Sequence, residues 1–121
     1  MATKKRNLGN LGEDAACKWL EARGYSIIER NYLRPWGEID VVAQKGGKAI
    51  FVEVKSVTRE SVIRPEENMH RKKLERLHRA IQTYLADRNV PRETSWQVDL
   101  LCVRLDMEAK KAKVEQFENV L

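Results

Sequence analysis

The sequence predicts one α/β domain, a mixed central sheet flanked by helices in the order α-β-β-β-α-β-β. Three observations carry that prediction. Two stretches with apolar residues at helical spacing, at 8–24 and 70–89, frame three consecutive runs rich in β-branched residues. A Gly-Gly pair joins the second and third of those runs as a tight hairpin. The second helix falls between the third and fourth strands as the usual right-handed crossover, so those two strands are expected to be parallel.

In the first helix Leu11, Ala15, Ala16, Trp19 and Leu20 share one stripe, and Gly24 stands where a left-handed residue ends a helix. "YSIIERNY", "GEIDVVAQ" and "AIFVEVKSV" then read as a meander of three strands. Residues 58–68 mix charge with a proline and show no period, which marks a loop. In "HRKKLERLHRAIQTYLADRN" the residues Leu74, Leu77, Ile81, Tyr84 and Leu85 fall on one face, and Pro91 follows the helix end. "SWQVDLLCVRL" and "AKVEQFENVL" supply the closing strands.

At 121 residues the chain suits a single domain, 1–121. A hydrophobic share of 42% excludes a disordered chain, and a net charge of +5 with a pI near 9.4 fits either a polyanionic partner or plain solubility. No apolar run is long enough to cross a bilayer, and the basic start "MATKKRN" leads into no signal segment. A cytoplasmic protein without membrane association is therefore expected. Cys17 and Cys102 have no ligand spacing and read as small core residues.

The hairpin decides where its charges go. With Gly46-Gly47 as the loop, Lys45 faces Lys48, Val42 faces Phe51, Asp40 faces Glu53 and Glu38 faces Lys55. Alternation then puts Glu38, Asp40, Glu53 and Lys55 on one face, with Ile39, Val41, Ile50, Val52 and Val54 on the other. Carboxylates directly opposite one another lie about 5 Å apart and repel. A divalent cation such as Mg²⁺ would offset that repulsion; routine solvated ion pairs are the plainer alternative. Glu13, at the border of the first helix's stripe, can reach over the sheet edge or serve only the helix macrodipole.

The set Glu13, "GEID" at 37–40 and "VEVK" at 52–55 resembles the PD-(D/E)xK nuclease superfamily, in particular the archaeal Holliday-junction resolvase branch. "LGEDAACKWLEARGYSIIERNY" with "GEIDVVA" and "FVEVKS" is similar to the YraN-like family of bacterial proteins, nuclease-like without an established function, and "VDLLCV" and "FENVL" fit its closing strands. The resemblance implies a restriction-endonuclease-like fold and hydrolysis of DNA, including structured or branched DNA. It implies Mg²⁺ or Mn²⁺ on Asp40 and Glu53, Lys55 orienting or activating the attacking water, and Glu13 assisting. Two departures stand out: Ile39 replaces the motif's proline, and Val57 occupies a position where this family often has Arg, leaving one phosphate contact open. Glu38 either holds Lys55 across the hairpin or forms a salt bridge without a catalytic role. Resolvase relatives act as two-fold dimers, so a homodimer is a further expectation.

Arg71, Lys72, Lys73, Arg76 and Arg79 against the single acid Glu75, with Arg59 and Arg64 just before them, form a cluster suited to a phosphate backbone or to solubility. Related nucleases place a polar residue of this helix near the site, a role that Lys72 or Lys73 would fill. Trp36 reads as a base-stacking residue or as edge packing, and His70 and His78 as part of the basic face. A metal-dependent endonuclease, a non-catalytic nucleic-acid-binding module and a protein-interaction scaffold using the acidic face all remain open at this level.

Overall fold

The structure, a computed structural model, describes residues 4–58 and 64–121. Its elements are α1 (Lys4–Ala22), β1 (Ser26–Arg34), β2 (Gly37–Lys45), β3 (Lys48–Thr58), α2 (Pro65–Asn68), α3 (Arg71–Asp87), β4 (Trp96–Asp106) and β5 (Lys111–Phe117). The order is the one predicted, with one added turn of helix, α2, in the stretch read as a loop. The five strands lie in sequence order, antiparallel except for the β3/β4 pair, which is parallel. This mixed sheet with α1 on one face and α3 on the other is consistent with a restriction-endonuclease-like fold. Among the described residues no helix is long and apolar enough to cross a membrane.

Local chemistry ends both long helices in the same way. Gly24, at φ 87, closes α1, with the Tyr25 N–H donating to the Leu20 carbonyl and the Gly24 N–H to that of Glu21. Asn89, at φ 49, closes α3 with the matching pair, Val90 to Leu85 and Asn89 to Ala86. Both are Schellman motifs, which satisfy carbonyls the helix leaves unpaired.

One core packs on each face of the sheet. Toward α3 lie Tyr32, Ile39, Val42, Phe51, Val98 and Leu100 with Leu77, Ile81 and Tyr84. Toward α1 lie Val41, Ala43, Ile50, Val52, Leu101 and Val103 with Ala16, Cys17 and Leu20. Leu11, expected on the buried stripe, is 44% exposed, within the second turn of α1. The hairpin register is confirmed from Lys45↔Lys48 to Val41↔Val52.

Close backbone approach sets how α1 sits. A Cβ added at Gly12 would fall 1.7 Å from the Ser56 Oγ and 2.8 Å from its Cβ, so α1 crosses β3 there only because position 12 has no side chain. Gly12→Ala is expected to cost about 1–3 kcal/mol in urea unfolding, the usual penalty for overpacking, and Ser56→Gly in the same chain should recover part of it.

Candidate active site

The β2/β3 ladder stops at Val41↔Val52, and beyond it Asp40 does what a main-chain carbonyl would have done. Its Oδ2 accepts the Val54 N–H at 2.8 Å. On the other side of β2, Asn31 of β1, between the paired residues Arg30 and Tyr32, takes φ 55, a left-handed value that Asn tolerates. This irregularity breaks the pleat. Ile39 joins Val42 in the α3-side core instead of sharing a face with Val41, which corrects the simple alternation read from the hairpin.

Asp40 and Glu53 are both buried, 8% and 9% exposed, at the point where the strands part. Burial, with the Glu53 charge as the next cause, pushes the Asp40 carboxyl up to about 8; Glu38 and Glu13 add to the rise and the Val54 N–H opposes it. Burial also raises Glu53, against the pull of Lys73, whose Nζ lies 2.7 Å from the Glu53 Oε1. Two desolvated acids with raised affinities for protons, on neighbouring strands, are an arrangement common at functional sites. The third buried acid, Asp99, contrasts with them. It is fully enclosed and accepts from Gln97 Nε2, Gln116 Nε2 and the Asn119 N–H, which ties the C-terminal segment to β4.

The remaining candidates occupy more varied positions. Lys55 lies two residues beyond Glu53 on β3, paired in register with Cys102, and is exposed with no ion pair to a described residue. Glu38, expected across from Lys55, pairs in register with Leu33 of β1 and lines the groove beside Glu53; no Glu38–Lys55 contact forms among the described residues. Glu13 is held by Arg30 at 3.4 Å, and Arg30 also binds Asp14 at 2.9 Å. Glu13 is close enough for its charge to raise both Asp40 and Glu53. Among the described residues no three His, Cys, Asp or Glu side chains converge as a preformed metal site. Asp40 and Glu53 alone still suit Mg²⁺, which is commonly held by one or two carboxylates and keeps several of its waters.

A groove of about 1150 Å³ opens from Glu53 along α3 to the β1–β2 turn, lined among others by Arg34, Trp36, Lys72, Lys73, Arg76 and Arg79. The first turn of α3 carries Arg71, Lys72 and Lys73 with no acid, at the helix end where cations are disfavoured. His70 is the N-cap, its Nδ1 accepting from the Lys73 N–H, and so has a structural duty beyond adding to a basic face. Gly37 lets the turn approach α3, since a Cβ there would lie 2.7 Å from the Arg76 carbonyl oxygen. The Arg79 guanidinium lies 4.5 Å over the Trp36 ring, so that face of the indole is already covered.

The basic cluster divides accordingly. Lys72, Lys73 and Arg76 line the groove, whereas Arg71 points elsewhere, its side chain 93% exposed and paired with Glu75 at 3.2 Å. Arg59 lies outside the described residues. Sequence reasoning missed Arg34, which borders the groove while bound to Asp87 at 2.6 Å, because nothing local to β1 shows that it will meet α3.

Comparison with known proteins gives a consistent identity. A solved structure, an FdxN element excision controlling factor protein from Anabaena variabilis, covers 91% of this chain and 98% of its own at 13% identity, with a TM-score of 0.40, too loose a likeness to carry an argument. A UPF0102 protein of Moorella thermoacetica is 37% identical over 115 residues, 95% of each chain, and one of Chloroflexus aurantiacus is 34% identical over the whole chain and 95% of its own. The family model of UPF0102 matches residues 12–107. The chain therefore belongs to UPF0102, described as an uncharacterised protein family.

Proposed function

We propose that the chain is a metal-dependent endonuclease of the PD-(D/E)xK kind that hydrolyses phosphodiester bonds in DNA, structured or branched DNA included. The observation that carries this reading is the buried Asp40–Glu53 pair, whose Glu53 lines a groove that also carries Arg34, Lys72, Lys73, Arg76 and Arg79. Asp40 and Glu53 would hold Mg²⁺ or Mn²⁺, which supplies charge to the non-bridging oxygen and acidity to a bound water. The chain does the rest. Lys55, on the same strand as Glu53 and exposed, orients the attacking water and faces the negative charge that develops on the phosphoryl oxygens. Lys72, Lys73 and Arg76 take the strand's phosphates along the groove, and Glu13, fixed by Arg30, adds negative potential that favours a cation between Asp40 and Glu53.

The test is incubation of the purified chain with supercoiled plasmid and with a synthetic four-way junction in Mg²⁺, in Mn²⁺ and in chelator. Nicking confined to the metal-containing samples is the expected result. Metal-independent binding without cleavage of any substrate would favour a non-catalytic nucleic-acid-binding module.

Binding itself should follow the phosphates. Lys72→Ala and Arg76→Ala are each expected to flatten the plot of log affinity against log salt concentration by about 0.9, and to weaken unrelated DNA sequences equally. Arg71→Ala, off the groove, should change the slope less. Fluorescence anisotropy at several salt concentrations reads both.

A further inference from the structure

We infer that Lys73 is a tethered counter-ion for Glu53 which a divalent cation displaces, so that metal binding releases an ammonium group into the groove for a phosphate of the bound strand. The inference rests on the metal-site reading above and adds to it a coupling between the two ligands.

The two buried acids are satisfied in different ways. Asp40 has a fixed main-chain donor, the Val54 N–H at 2.8 Å. Glu53, its side chain 12% exposed, has the ammonium of Lys73 at 2.7 Å, and that side chain is itself 36% exposed at the groove wall. Lys73 reaches Glu53 from a different element, on a flexible stem whose charged end can travel while the helix stays in place. Its neighbours at helical spacing are Met69, His70, Arg76 and Leu77, and none is a carboxylate. Glu53 is thus the partner that holds the Lys73 ammonium at the acid end of the groove.

A cation bound to the same Glu53 oxygen would repel that ammonium at close range. Lys73 would then swing along the groove toward Lys72 and Arg76, where cations outnumber the acids Glu38 and Glu75 and a phosphate of the strand would take the ammonium. Metal and DNA each relieve the charge the other creates, and linkage makes the effect reciprocal. Without metal the lysine occupies the acid; with metal it is left to hold the strand.

Mn²⁺ affinity, measured by electron paramagnetic resonance of the free ion without DNA, tests this apart from activity. Lys73→Gln is expected to bind Mn²⁺ about tenfold tighter than wild type, a typical size for coupled charges. Lys73→Arg, which keeps the charge, should stay near wild type, and so should Lys113→Gln, which removes an equal charge from β5. In a ¹⁵N-lysine NMR spectrum Mg²⁺ should shift the Lys73 ammonium resonance in the wild-type protein. Equal Mn²⁺ affinity in wild type and Lys73→Gln, with binding abolished by Asp40→Asn, would overturn the displacement and leave the metal site standing. If wild type binds Mn²⁺ no better than Asp40→Asn does, both readings fall together.

Discussion

Asp40→Asn and Glu53→Gln should each remove metal-dependent nicking of plasmid and junction, lowering the rate by at least about a thousandfold, the scale seen when a group that stabilises transition-state charge is lost. The amides keep the shape of the acids and lose their charge, and a neutral amide oxygen holds a hard cation far more weakly than a carboxylate does. Asn at position 40 can still accept the Val54 N–H through its carbonyl oxygen, so the end of the β2/β3 ladder keeps its bridge. A near-native melting transition and retained DNA affinity are therefore expected from the same preparations. Binding can even tighten, because each substitution removes a negative charge next to a groove that carries phosphates. Cleavage at the wild-type rate by either variant would place the activity elsewhere, in another site or a contaminating enzyme.

The second large effect is on stability, and it runs opposite to activity. The Asp40 carboxyl titrates at about 8 in the fold, because burial and then the Glu53 charge oppose its ionisation, whereas an unfolded Asp titrates near about 4. Between those values the native chain holds a proton that the unfolded chain has released, so stability falls as pH rises through this window. Glu53 is shifted in the same direction. In chelator, chemical denaturation at fixed temperature should show a loss of about 2 kcal/mol or more between pH 5 and pH 8, since each tenfold difference in proton affinity between the folded and unfolded chain is worth about 1.4 kcal/mol. Asp40→Asn should remove most of that slope and be more stable than wild type at pH 8. Millimolar Mg²⁺ should restore wild-type stability at pH 8 while doing little at pH 5, where Asp40 is protonated. Parallel pH profiles for wild type and Asp40→Asn would mean that the acid pair is not desolvated in solution. A site that costs stability until its ligand arrives is a familiar trade between function and folding.

Much of this could be read from the residues in order. The helix ends at Gly24 and Asn89, the Gly46-Gly47 bend and the register down to Val41↔Val52 depend on contacts within a few residues or across one hairpin, and these are what local sequence encodes. The same register placed Asp40 and Glu53 side by side. It could not show that the ladder ends there with the Asp40 carboxylate on the Val54 amide, nor that Ile39 turns to the α3 side, since both depend on the break opposite Asn31.

The order of elements, the parallel β3/β4 pair and the presence of an acid pair and a basic helix follow from the order of residues alone. That Lys73 meets Glu53, that Arg71 faces away, and that Arg34 and Trp36 complete the groove wall emerges from packing between distant segments. Periodicity fixes which residues share a stripe of a helix, but the rotation of α3 about its own axis is set by the elements it docks on. Here that contact is the bare Gly37 backbone against Arg76, made between segments far apart in the chain and visible only once both have folded.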